Sequence, residues 1–310
     1  MLKRVFFAAL VLFAFAFAEQ VSEEVQARRV ITIDGSGGTQ SGNLRTGPLV
    51  YEHPDEFGIT ASVSNLTIYS QLAELHSPSG ESISVAGERV AIFPQAVKVE
   101  RGRMSASGTA LRYDESIGIG ELAGRAEITV EPNTEDGDAT TIVADAVEFD
   151  VDTDQSTSRG NIELESGNQF AQAELLDYEE ERGLGRLYGT EQVQVERTAK
   201  DGGVLVITAD EIRVLTDTKQ LYATGSVHVI DGDVESWGAT VLFDDESSIA
   251  EVIGTADEPA FAKDTASGSE LRTDRILQYV ELNFFEAIDS SVPSSFDIAM
   301  FRTAAELSED

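Results

Sequence analysis

Along this chain an aromatic residue or valine is followed, again and again, by glycine eleven positions later. Tyr69 leads to Gly80, Tyr113 to Gly124, Phe149 to Gly160, Tyr178 to Gly189, Val214 to Gly225 and Phe243 to Gly254. A small residue stands five positions ahead of each anchor: Ser64, Gly108, Ala144, Ala173, Ala209 and Gly238. From Tyr113 onward the anchors step by 36, 29, 36 and 29 residues. A further step of 36 reaches Tyr279, with Ser290 where the glycine is expected. Self-similarity at such a period restricts the fold to a stack of like supersecondary units.

Each unit reads as two strands and a turn. The residue two before the anchor is apolar in most copies (Leu111, Val147, Leu176, Ile212, Val241, Leu277). The residue between is usually polar (Arg112, Glu148, Asp177, Arg213, Gln278). Alternation with period two marks a half-buried strand. Acids and turn formers follow, as in Asp150 to Asp154 and Glu179 to Gly183. After the glycine the alternation resumes, in Ala126/Ile128/Val130, Ile162/Leu164, Val193/Val195 and Val227/Val229. The glycine is therefore expected at a bulge or tight bend. The seven prolines fall mostly outside these runs, as ladders that need N–H donors require. Helical patterning is confined to the N-terminus and to 296–307, where a short amphipathic helix is expected. The expected fold class is all-β, with antiparallel hairpins in a sandwich, barrel or jelly roll. Their apolar faces would enclose a long trough.

Composition narrows the partners. The 310 residues include 22 Lys and Arg against 56 Asp and Glu, a formal charge of −34. Such a chain is repelled by nucleic acid and by bare anionic membrane surfaces. Its 41% hydrophobic content predicts a buried core, not an acidic disordered chain. There is no cysteine, hence no disulfide and no thiolate metal site. Lys3 and Arg4, the apolar run Val5 to Phe17, and Ala16-Phe17-Ala18 before Glu19 have the layout of a signal peptide over residues 1–18. The apolar run is short of the roughly 20 residues of a spanning helix. Export, with a mature chain of 20 basic and 56 acidic residues, is the expectation.

Three stretches carry a resemblance. IVADAVEFDVDTDQSTSRGNIEL (142–164), ITADEIRVLTDTKQLYATGSVHV (207–229) and FAQAELLDYEEERGLGRLYG (170–189) share an Ala followed by an acid or Gln, alternating apolar positions, and Gly. The pattern resembles the organic-solvent-tolerance (OstA-like) repeat family, whose members include periplasmic LptA, the N-terminal domain of LptD, and LptC. The resemblance covers roughly residues 60–286. It implies an antiparallel β-jelly roll opening as a V-shaped sandwich. It also implies that lipopolysaccharide acyl chains bind in the groove and that subunits join end to end across the periplasm. The chain departs from the family in its scarcity of basic residues for a phosphorylated head group, which leaves another outer-envelope glycolipid open as the ligand. It is also longer than a minimal LptA.

No chemical motif competes with this reading. Asp150-Val-Asp-Thr-Asp154 begins like a calcium loop, but Gln155 and Asn161 replace the required Gly and Glu, which leaves an acidic hairpin turn. Asp136-Gly-Asp138 and Asp231-Gly-Asp233 are hairpin chemistry. His53, His76 and His228 are far apart, without metal-ligand spacing, and no nucleophile elbow occurs. Gly35-Ser-Gly-Gly38 lacks a following Lys and reads as a flexible loop. Trp237 is expected in the core or the groove wall. No catalytic residue, cofactor or metal is expected.

The functional expectation is a non-enzymatic periplasmic protein that binds lipopolysaccharide or a related glycolipid and bridges inner- and outer-membrane transport components. The candidate groove residues are Val147, Phe149, Ile162, Leu164, Leu176, Tyr178, Ile212, Val214, Val227, Val229, Val241 and Phe243. End-to-end homo-oligomers by strand addition are expected. The alternative is a structural or adhesive surface protein with a closed core. The expected organisation is a loop-rich segment over 19–59, the β repeats over 60–286, and a tail over 287–310.

Overall fold

The computed structural model describes residues 22–308 except 79, 80, 136, 200, 201, 283, 290 and 295. The expected signal peptide, Gly80 and Ser290 lie outside the described residues. A short helix α1 (Glu23–Arg28), N-capped by Ser22, precedes the first strands. These are β1 (Thr32–Asp34), β2 (Thr39–Gly42), β3 (Leu49–Glu52), β4 (Ile59–Val63), β5 (Leu66–Ser70), β6 (Leu72–His76), β7 (Val90–Phe93), β8 (Val97–Arg101), β9 (Met104–Gly108) and β10 (Ala110–Asp114). Eight long strands follow: β11 (Ile119–Val130), β12 (Thr140–Asp150), β13 (Gln155–Ser166), β14 (Gln169–Glu179), β15 (Leu184–Thr198), β16 (Val204–Leu215), β17 (Gln220–Asp231) and β18 (Val234–Asp244). The last are β19 (Ile249–Ile253), β20 (Ala260–Asp264), β21 (Glu270–Thr273), β22 (Arg275–Tyr279) and β23 (Phe284–Ala287), before the short helix α2 (Ala304–Ser308). The fold is all-β, one long antiparallel sheet of jelly-roll type that does not close into a barrel. Strands β1 to β3, within the segment over 19–59, belong to this sheet.

Every long strand is bent once. The ladders between neighbours from β11 to β18 each shift register at mid-strand, for example between Val143 and Ala146 and between Thr224 and Val227. Gly124, Gly160 and Gly225 sit at these shifts with φ of 86°, 74° and 79°, followed by Arg125, Asn161 and Ser226 at 47°, 45° and 50°. In β11, β13 and β17 two successive left-handed residues mark the point where the strand divides into two arms. The shorter strands complete the same plan as broken halves. The first half of β11 pairs with β10 and its second half with β9. At the other end β18 pairs with β20 through its first half and with β19 through its second.

The sheet is thus two arms joined at an apex of bulges. One arm runs β1-β4-β5-β8-β9, through the halves of β11 to β18, to β20-β21. The other runs β2-β3-β6-β7-β10, through the opposite halves, to β19-β22-β23. Their facing sides carry one continuous apolar cluster, from Ile31 to Val280. It forms because the bulge resets the side-chain phase: Ile142 and Ala144 point inward before it, Val147 and Phe149 after it.

Two expected copies of the unit differ from this plan. Ser64 is in a hairpin turn and Tyr69 is half-buried beside inward-pointing Ile68, so the copy anchored on Tyr69 is out of phase. In β22 the inward residues are Ile276 and Gln278, and Leu277 and Tyr279 face outward. A one-residue slip exchanges the two faces of a strand, which spacing alone does not reveal.

The outer faces are also organised. Trp237 is not in the core; it stands on the outer face between His228, with ring centroids 4.6 Å apart, and Phe261, at 5.4 Å. Arg272 continues the stack 4.6 Å from the Phe261 ring. These residues are direct cross-strand partners. The tail is not one helix but a 3-10 turn over Ile298–Phe301 followed by α2. Phe301 is buried among Leu184, Leu215 and Leu242 on the outside of the second arm. Arg213 donates to the Phe301 carbonyl and to both Glu306 carboxylate oxygens, at 2.6 and 2.7 Å. This pairing holds the Glu306 carboxyl at about 2, well below its ordinary 4.5.

Candidate functional site

All twelve candidate groove residues meet in the inter-arm cluster, and none is more than 3% exposed. Ile162, Leu164, Val227 and Val229 come from the first arm. Val147, Phe149, Leu176, Tyr178, Ile212, Val214, Val241 and Phe243 come from the second. The spacing therefore brings together residues of both arms, and they touch one another in place of an open trough. Among the described residues no cluster of His, Asp and Glu has the arrangement to hold a metal ion. No described helix is long and apolar enough to cross a membrane.

The interior contains few polar groups. Ser236 Oγ donates to Gln278 Oε1 at 2.7 Å, and Tyr178 Oη meets Thr216 Oγ1 at 3.1 Å. Burial raises the Tyr178 hydroxyl above its ordinary value, the Thr216 contact opposing. Tyr113, also inward, donates to the Arg29 carbonyl at 2.7 Å, and burial likewise raises its pKa. Ser158 Oγ and Gln278 Nε2 are buried without a partner. Such a lining offers shape and apolar contact.

Opposite the apex, the arms end in two rows of hairpin turns that form the mouth of the V. Sequence reasoning missed the residues that meet there. At one end the strap from Arg28 to Ile31 crosses between the arms. Arg29 binds Asp152 of the second arm, and Ile31 N donates to Glu115 at 2.9 Å just before β1 joins the first arm. Arg89 and Glu115 form a buried pair at 2.6 Å beneath it. The Asp152 carboxylate holds the Arg29 guanidinium above its ordinary pKa, against the effect of burial. The Asp150–Asp154 turn is consequently not a free acidic loop: Asp152 is engaged by Arg29, and Asp154 accepts from Asn65 at 3.0 Å.

Further along, Arg101 pairs with Glu180 at 3.3 Å and Arg103 with Asp217 at 3.7 Å. Arg103 N also donates to Glu180 at 2.8 Å. Lys219 pairs with Asp138 at 2.6 Å, and Arg197 binds both Asp245 and Glu281. Those two carboxylates raise the Arg197 guanidinium pKa, although desolvation acts against them. The only trace of this row in the sequence is the placement of Arg101 and Arg197 at or next to strand ends.

No family model and no curated protein matches the chain. Among solved structures the fold is similar to that of LptH of Pseudomonas aeruginosa, described as the LptA-homologous periplasmic component of the conserved lipopolysaccharide transport device. The two are 15% identical, the match covers 37% of this chain and 82% of that one, and the TM-score is 0.35.

Proposed function

We propose that this chain is a periplasmic, non-enzymatic carrier that shields the acyl chains of lipopolysaccharide or a related envelope glycolipid between its two arms. The observation that supports the reading is the unbroken apolar cluster running between the arms, hinged along the bulges and lined by all twelve candidate residues. Burial of an acyl chain gains about 0.8 kcal/mol per CH2. A chain of ordinary length therefore binds without any polar recognition, provided the arms separate enough to admit it. The motif copies at 142–164, 170–189 and 207–229 support the same reading through their resemblance to OstA-like repeats.

In this reading the membranes' transport components supply and accept the lipid, and the sheet's open ends meet neighbouring subunits. Strands β1 and β2 end the arms at one end, β21 and β23 at the other, and Leu282 and Phe284 are exposed at the latter. Unpaired strand edges of this kind template strand addition. A second reading, a structural or adhesive β-repeat protein, is favoured by the near-complete burial of the twelve residues. Mass spectrometry of lipid extracted from the purified protein separates the two. Stoichiometric glycolipid supports carriage, and a lipid-free protein that also refuses added glycolipid supports the structural reading.

A further inference from the structure

The two rows of turns at the mouth meet in chain order, like the teeth of a zip. Asn65 meets Asp154, Arg101 and Arg103 meet Glu180, and Asn133 and Arg103 meet Asp217. Beyond these, Asp138 meets Lys219, Arg197 meets Asp245 and Glu281, and Asp231 accepts from Glu281 N. Each contact joins one arm to the other and each involves a side chain. The apex is covalent chain, so the mouth is the side along which the arms can part. The part-exposed pairs of the row, Arg103 with Asp217 and Lys219 with Asp138, are individually weak and screened by salt, while Arg101 and Arg197 are nearly buried.

The charges are sorted. Arg101, Arg103 and Arg197 belong to the first arm, and their carboxylate partners Glu180, Asp217, Asp245 and Glu281 to the second. Lys219 and Asp138 run the other way, and Asp231 adds an acid to the first arm. Parting the arms therefore uncovers three guanidinium groups on the first, in a protein of charge −34. Arg101 is the innermost of these cations. Its side chain is 2% exposed, its guanidinium lies 5.9 Å from the centre of the Phe149 ring, and its Nη2 has no partner. A donor is thus left unspent where the apolar interior begins. Two depressions follow the same line. One of about 330 Å3 holds Arg101, Arg103 and Glu180, and one of about 850 Å3 holds Arg197, Lys219, Asp245 and Glu281.

We propose that this row is a breakable closure over the interior. It parts for an amphiphile with an anionic head, and that head replaces the carboxylates on Arg101, Arg103 and Arg197 while the tail enters between the arms. The exchange trades one anion for another on the same guanidinium groups, which bind carboxylate and phosphate with the same fork geometry. It explains how so acidic a protein takes an anionic ligand. The inference rests on the acyl-chain reading of the interior.

The absence of cysteine allows a clean test. Asn133→Cys with Asp217→Cys, and separately Asn65→Cys with Asp154→Cys, are joined by a short bismaleimide. Uptake of cis-parinaric acid and of its neutral methyl ester is followed by fluorescence. The stapled proteins are expected to take up either probe at least tenfold more slowly than the unstapled ones. Asp245→Asn with Glu281→Gln, which frees Arg197, is expected to speed uptake of the acid about fivefold, the effect of an ion pair of ordinary strength. Arg197→Gln also loosens the row but is expected to lose preference for the acid over the ester. Uptake by the stapled proteins at the unstapled rate, or an unchanged preference in Arg197→Gln, overturns the proposal. If no protein binds either probe, it is the acyl-chain reading that fails. Spin labels on the two cysteine pairs then judge the closure alone. A longer-distance population that grows with salt supports it, and a single short distance at every salt concentration overturns it.

Discussion

Gly225 faces Asp210 across adjacent strands so closely that a Cβ on the glycine would lie 2.4 Å from a carboxylate oxygen of the aspartate. Gly160 stands in the same relation to Asp145, at 2.6 Å. Both glycines have positive φ, so any side chain there meets a clash and an unfavourable backbone together. Gly225→Ala is expected to cost about 1–3 kcal/mol. Chemical denaturation measures the loss, and Gly225→Ala with Asp210→Gly recovers part of it if the steric contact is the cause.

Phe149 is fully buried beneath Arg101, so Phe149→Ala leaves a cavity between the arms. The expected loss is about 3–5 kcal/mol by urea unfolding, the range for large core truncations. In the carrier reading the enlarged interior keeps or gains uptake of a fluorescent acyl probe, where a purely structural core only loses stability.

The tail depends on a pH-sensitive contact. Glu306 is held at about 2 by Arg213 against an ordinary 4.5. A carboxyl depressed by folding contributes stability that is complete above the unfolded value and is lost as pH falls toward the folded one. Docking of 296–308 is therefore expected to weaken as pH drops from about 5 to about 2. Hydrogen exchange of the α2 amides should rise across that window. Glu306→Gln should show the raised exchange already at pH 7 and little further change on acidification.

Phe301→Ala separates the apolar half of the same contact. Removing a side chain seated among Leu184, Leu215 and Leu242 is expected to cost about 3 kcal/mol of tail docking and to expose that patch. Dye binding to exposed apolar surface and limited proteolysis after Ala287 should both increase, with the inter-arm cluster unchanged.

How much of this was legible in the sequence follows from what each feature depends on. The inward set around Val147, Phe149, Ile212 and Val214 shows as alternation because period two is a local property of a strand. The bends at Gly160 and Gly225 show because only a missing Cβ permits them. The outward turn of Leu277 and Tyr279 does not show, since a slip of one residue leaves the composition of the strand intact. The mouth does not show either. Asn65 and Asp154 are 89 residues apart and Arg197 and Asp245 are 48 apart, and only the stacking order of the hairpins makes them neighbours. Trp237 was misplaced because an aromatic beside alternating residues suits either face, and cross-strand stacking on His228 and Phe261 holds it outside.

The central claim is that acyl chains lie between the arms. A photo-crosslinking amino acid placed at Phe149 or Val227, inside, and at Tyr222, on the outer face, tests it in the full chain supplied with glycolipid. The account predicts lipid adducts at positions 149 and 227 and none at 222. Adducts at 222 alone, or at no position while lipid remains bound, would contradict it.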